Sequence, residues 1–158
     1  MWVILFGGLR TMVAHPQEDP MAMQLDCYLS FSGNCEEALN FYAKCLGGKV
    51  ATIMRYEGSP MDNKDLPANW KQKVMHATLE ADGAQIMGSD LPPSYPHGGF
   101  SGFTVSVYIK QDVDRARKVF DALAAGGQVM MPFAPPFWGG HFGMLKDKFG
   151  VPWMVSSE

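Results

Sequence analysis

Leu25-Asp-Cys-Tyr-Leu-Ser-Phe-Ser-Gly-Asn-Cys-Glu-Glu-Ala-Leu-Asn-Phe-Tyr-Ala-Lys-Cys-Leu-Gly-Gly-Lys-Val50 reads as strand, capped helix, glycine stop and strand. Leu25 to Phe31 is aliphatic and aromatic and runs into the turn residues Ser32-Gly33-Asn34, as a strand does. Asn34 fits a helix N-cap, and Glu37, three residues on, stands where a capping-box side chain reaches back to the cap N–H. Ala38, Leu39, Tyr42, Cys45 and Leu46 recur at helical spacing and form one apolar face. Gly47-Gly48 stops the helix, because glycine takes the left-handed C′ conformation without steric cost. Lys49 to Arg55 follows as a strand.

The same pattern returns further on. Phe103 to Ile109 has a strand pattern, Asp112 fits an N-cap, and Val113, Ala116, Val119, Phe120 and Leu123 give a helical apolar face before Gly126-Gly127. Asn34 aligns with Asp112, Glu36 with Asp114, Ala38 with Ala116 and Tyr42 with Phe120. Cap, face and stop recurring together mark an internal repeat.

Between the copies, Tyr56 to Lys73 carries Gly58, Pro60 and Pro67 and reads as a long loop, a class that often forms lids. Val74 to Ala81 and Ala84 to Asp90 are strands around the hairpin signal Asp82-Gly83. Leu91 to Gly99, rich in proline and glycine, connects the copies. The second copy continues with a strand over Gln128 to Pro132, the loop Phe133 to Gly140, and a last hairpin formed by Phe142 to Lys146 and Val151 to Val155. Each copy is therefore strand, helix, three strands: an α+β chain of two βαβββ modules, at about 23–92 and 100–158.

The 158 residues carry a formal charge of −3 and no basic stripe, which argues against nucleic acid as a partner. The three cysteines, Cys27, Cys35 and Cys45, form neither a disulfide framework nor a zinc pattern, and they suit a reducing cytoplasm. Residues 1–22 differ in character. Trp2 to Phe6 is apolar but too short to span a membrane, and His15 to Pro20 resembles a linker. This segment is expected to be a weakly ordered extension, a misassigned start, or an apolar arm on a partner subunit.

Chemistry-bearing residues are few. His76 shares a strand face with Thr78 and Glu80 by period-two alternation, which suits a polar cavity wall or an outward, solvated face. A histidine there can serve as a general base near neutral pH. Phe137, Trp138 and His141 lie on an aromatic, glycine-rich loop fit to close over a ligand. Tyr28, Trp153 and Phe142 are candidates for an apolar pocket wall, Trp70 for a lid, and Asp90 for a ligand contact or a turn cap. Aromatic residues also fill cores.

Several of these stretches resemble the vicinal oxygen chelate superfamily, which includes glyoxalase I, bleomycin resistance proteins and extradiol dioxygenases, and within it the PhnB-like subgroup. The resemblance rests on Tyr28-Leu-Ser-Phe-Ser-Gly-Asn-Cys35, Met87-Gly-Ser-Asp90, Phe137-Trp138, Phe142-Gly143 and Asp147-Lys-Phe-Gly-Val-Pro-Trp153, and covers about Met23 to the C-terminus. It implies a curved mixed sheet around a cavity and a homodimer. Members of the subgroup have been labelled demethylubiquinone methyltransferase domains, yet no strand here runs into a glycine-rich turn and helix of the kind that binds a methyl-donor nucleotide.

Metal-dependent members hold a divalent ion at four strand positions. Counted from caps and turns to within about one residue, these correspond here to Cys27, Met87, Val105 and Met154. None is histidine or carboxylate, so no metal and no cofactor is expected; the soft Cys and Met side chains would suit copper(I) or simply line an apolar pocket. The expected function is binding of an unknown small molecule without the usual metal. The alternatives are a lyase or isomerase using His76 or a metal at shifted positions, and a dimeric interaction module without a ligand.

Overall fold

The structure, a computed structural model, describes residues 23–158. The expectations for residues 1–22 lie outside the described residues. The chain runs β1 (Cys27–Phe31), α1 (Cys35–Leu46), β2 (Lys49–Arg55), β3 (Val74–Ala81), β4 (Ala84–Asp90), β5 (Val105–Ile109), α2 (Val113–Ala124), β6 (Gln128–Ala134), β7 (His141–Lys146) and β8 (Pro152–Ser157). The repeat is thus real: two βαβββ units, each a four-stranded mixed sheet, ordered β1-β4-β3-β2 and β5-β8-β7-β6. In each sheet the first strand runs parallel to the last and the other pairs are antiparallel. The two sheets are not joined into one.

α1 ends on Gly47 itself, whereas α2 ends on an extended Ala125 one residue before its glycine. Gly47 has φ 71° and Gly126 φ 76°, in the left-handed region. The second glycine of each pair lets the chain pass close to a hairpin backbone. A Cβ on Gly48 would stand 2.3 Å from the Glu80 carbonyl oxygen, and one on Gly127 would stand 2.3 Å from that of Lys146. Asp82 (φ 48°) and Gly83 (φ 80°) make the expected β3–β4 turn, both residues in the left-handed region that a two-residue hairpin loop favours.

The helix starts differ. Asp112 caps α2 as expected, its carboxylate accepting from the Arg115 N–H at 2.9 Å. Asn34 occupies the cap position of α1 but makes no side-chain cap bond, and Glu37 instead pairs with Lys148 at 3.4 Å. Asp90, at the end of β4, takes over. One carboxylate oxygen accepts from the Gly33 and Cys35 N–H groups at 2.9 and 2.8 Å, and the other from the Val74 N–H at 2.9 Å. The sequence motif is local, whereas the cap that forms comes from a residue 55 positions away.

One apolar core serves both modules. Leu29, Phe31, Ala77 and Leu79 of the first sheet and Leu145, Trp153 and Val155 of the second lie in one buried cluster with the apolar faces of both helices. Tyr42 of α1 meets Trp153 of β8 with ring centroids 5.0 Å apart, and Phe41 meets Phe149 of the β7–β8 turn at 5.7 Å, so the first helix packs on the second module's closing hairpin. Asp147 is buried beneath them. It accepts from the Phe149 and Val151 N–H groups and, at 2.8 Å, from the Trp153 indole N–H.

Some boundaries moved. β1 and β5 begin two residues later than their apolar patterns suggest, and β6 runs past Pro132 to Ala134. Proline is tolerated there because β6 is an edge strand with register shifts on either side of Met131. The 56–73 segment is held by its own bonds. Tyr56 is buried with its hydroxyl donating to the Asp90 carbonyl at 2.7 Å, and the segment contains a 3-10 turn over Ala68–Trp70.

Candidate functional site

Helices cover one face of each sheet, and period-two alternation sends the other residues to the opposite, open face. On β1 that face carries Tyr28 and Ser30, while Leu29 and Phe31 are buried behind it. On β3 it carries His76 and Thr78, and on β4 Met87 and Ser89. The register brings these together: Tyr28 lies beside Met87, Met87 beside Thr78, and Ser30 beside Ser89. A β-bulge between Val50 and Thr52 shifts the count on β2, so Thr52 pairs with Thr78 and Met54 with His76.

The result is a polar patch around one imidazole. The Tyr28 hydroxyl lies 3.3 Å from His76 Nδ1, and the Thr78 hydroxyl 3.3 Å from His76 Nε2. A neutral imidazole has one donor and one acceptor nitrogen, whereas both hydroxyls can play either part. Either tautomer is therefore satisfied, and a proton can change sides without a side chain moving. Glu80 lies farther along β3, exposed and paired with Lys49 at 3.6 Å, away from this group.

Tyr28 also lines a cavity of about 280 Å³ with Ser30, Leu91, His97, Phe100 and Phe103. The inter-module connection builds its wall. The His97 ring contacts the Ser30 carbonyl, and Phe100 packs edge-on against Phe31 at 5.3 Å and Phe103 at 6.2 Å. No local pattern marks His97, Phe100 or Phe103 as part of a cavity wall. The connection is laid along β1 by a contact between His97 and a backbone carbonyl 67 residues away, which leaves no local pattern.

The other candidates are scattered. Trp138 and Phe137 are exposed, stacked edge-to-face at 4.8 Å, with Trp138 5.7 Å from Phe142 of the second module. His141 stacks on Phe133 at 5.7 Å. Trp70 is buried, its indole against Gly33. Asp90 is fully engaged in backbone bonds, and Trp153, at 0 % exposure, has no surface to offer a ligand. The three thiols are unpaired, and burial pushes them up, Cys45 to about 11, so none is a ready nucleophile.

The register also corrects the metal positions. Cys27 and Val105 pack toward the core, so the residues on the open face are Tyr28 and Ser106, beside Met87 and Met154. Tyrosine, serine and two thioethers do not fit a hard or borderline divalent ion, which needs imidazole or carboxylate. Among the described residues no three His, Cys, Asp or Glu side chains are gathered for a metal. None of the helices described is long and apolar enough to cross a membrane.

Three comparisons agree with this fold. The model of the Glyoxalase/Bleomycin resistance protein/Dioxygenase superfamily matches residues 24–155. The Escherichia coli (strain K12) protein YjdN is 36% identical over 141 residues, covering 85% of this chain and 95% of that protein. Protein PA1353 from Pseudomonas aeruginosa superposes with a TM-score of 0.77 at 42% identity, covering 87% of this chain and 98% of that one. A PhnB protein from Bacillus cereus, described as a candidate 3-demethylubiquinone-9 3-methyltransferase, gives 0.70 at 26% identity, over 86% of this chain and all of that one. The chain belongs to the Glyoxalase/Bleomycin resistance protein/Dioxygenase superfamily and resembles its PhnB proteins.

Proposed function

We propose that this member of the superfamily binds a small organic molecule on the open face of its first module, without the divalent ion of its metal-dependent relatives. The observation that carries this reading is the Tyr28–His76–Thr78 group beside an aromatic cavity of about 280 Å³. The hydroxyls and the imidazole offer donors and acceptors to a ligand oxygen, and Phe100 and Phe103 offer an apolar or aromatic wall. The ligand class is a small oxygenated molecule with an apolar body. Where a reaction follows, His76 is the residue suited to take and return a proton, with Tyr28 as its partner.

We read the working unit as a homodimer in the cytoplasm. Met54, Tyr108 and Met130 stand exposed on the outer strands, and three unpaired cysteines suit a reducing compartment.

Native mass spectrometry of freshly purified protein tests the reading, since it reports subunit count and any retained molecule together. A retained organic ligand is expected, with at least tenfold weaker binding in His76→Gln and little change in melting temperature. His76→Gln binding the same molecule as tightly as the parent would remove His76 from the site.

A further inference from the structure

The open face of the second module carries a different set of side chains. A bulge between Val129 and Met131 offsets β6, so Val129 lies opposite Leu145 but Met131 lies opposite Met144. Met144 in turn lies opposite Met154 on β8. Leu145, Trp153 and Val155 alternate with these residues and are buried in the core, so Met144 and Met154 point away from it. Three methionines from three adjacent strands therefore stand in one row on one face. Met131 is 45% exposed and the other two are half-buried, so solvent reaches the row.

Directly opposed residues of an antiparallel pair have Cβ atoms about 4.5–5.5 Å apart. Methionine has three rotatable bonds beyond its backbone, so three thioethers in such a row can converge above the central residue with no backbone movement. Thioether sulfur is a soft, neutral donor that selects monovalent copper over hard divalent ions. Two neighbours suit the same choice: Ser106 lies beside Met154 and Phe142 flanks Met144 on β7, while the exposed Lys146 on the other side of Met144 is a like charge whose side chain runs toward Gly150. Among the described residues these neighbours supply no carboxylate to the row, so Ca²⁺ and Mg²⁺ find no partner there. Trp138, edge-on to Phe142 at 5.7 Å, adds an aromatic rim of the kind cations favour.

We propose that Met131, Met144 and Met154 form a three-thioether site for a soft monovalent cation, Cu(I) or its analogue Ag(I). The site is separate from the Tyr28–His76–Thr78 group and stands or falls independently of it.

Ag(I) is the probe, because it is diamagnetic and stable in air. The full chain, labelled at its methionine methyl carbons, is titrated with silver nitrate to four equivalents, which leaves a cation for the row after the three thiols are filled. The methyl signals of Met131, Met144 and Met154 are assigned by single substitutions to leucine, a near-isosteric change that cores tolerate. The expected result is that these three signals move together and saturate, and that Met144→Leu weakens the event at least tenfold while the melting temperature holds. No movement of the three signals through four equivalents overturns the proposal. So does movement that Met144→Leu leaves unchanged, or movement spread over methionines outside the row.

Discussion

The two modules place the same rows of positions on their open faces and fill them with different chemistry. In the first, the row across the sheet is Thr52, Thr78, Met87 and Tyr28; in the second it is Met131, Met144, Met154 and Ser106. A bulge precedes the first member of each row, Val50/Thr52 in one module and Val129/Met131 in the other. One row further on, His76 corresponds to Phe142. The bulge that opens each row repeats, but the first face is mainly hydroxyls and an imidazole, with Met87 among them, and the second mainly thioethers and large aromatics, with Ser106 among them. The repeat thus accounts for the fold, and the departures from it locate the chemistry.

The comparison can be tested first where the halves meet. Trp153→Ala removes a fully buried indole that supports Tyr42 of the other module, and it is expected to destabilise the whole chain by about 3–5 kcal/mol. Chemical denaturation should show a single transition, shifted to lower denaturant. Two separated transitions would show that the modules do not share one core. Asp90→Ala should cost about 3 kcal/mol, because it strips the α1 N-terminus and Val74 of a buried charged acceptor. Amide exchange should rise most at Gly33, Cys35 and Val74; uniform exchange across both modules would contradict the local capping role.

The two close-approach glycines sharpen the parallel. Gly48→Ala and Gly127→Ala each force a Cβ against a carbonyl oxygen, and both should lose about 1–3 kcal/mol, the usual range for overpacking. A large loss at one and none at the other, in thermal melts, would mean that the two links are not equivalent. The smallest effect belongs to a contact between α1 and β2. Arg55 forms a bidentate pair with Glu36 at 2.6 and 2.9 Å, and this hydrogen-bonded guanidinium holds the Glu36 carboxyl below its ordinary 4.5. A lowered carboxyl pKa gives stability that is present above 4.5 and is lost as pH falls through the folded value. The pair is partly exposed, so Arg55→Ala should cost less than about 1 kcal/mol at pH 7. The difference in urea midpoint between parent and variant should shrink toward pH 3; a constant difference would rule out the ion pair as its source.

The element order was legible because helix periodicity, strand alternation and glycine stops are local signals. β2, β3 and β4 could be bounded from residue types alone, and the Asp82-Gly83 turn followed from its backbone demands. The face assignment was less accessible. Counting from caps put Cys27 and Val105 on the open face, whereas they pack toward the core and Tyr28 and Ser106 face outward. Alternation can be lost at a bulge, and neither bulge has a sequence signature here, so the Met131 row was invisible until the register was known. The polar face of His76 and Thr78 was legible from period two alone, but their partner Tyr28 lies 48 residues from His76. Contacts of that range, like those of Asp90 to α1 and His97 to Ser30, follow from topology and not from neighbouring residues.

Met87 and Met154 hold equivalent places in the two rows, and their methyl groups report on the two faces separately. The most direct test of the division of chemistry is to record both signals in the methionine-labelled protein while it is screened against small phenols and aromatic acids. A binding compound is expected to shift Met87, with the effect lost in His76→Gln, while Met154 stays in place. A binding compound that moves Met154 and leaves Met87 unchanged would contradict that division.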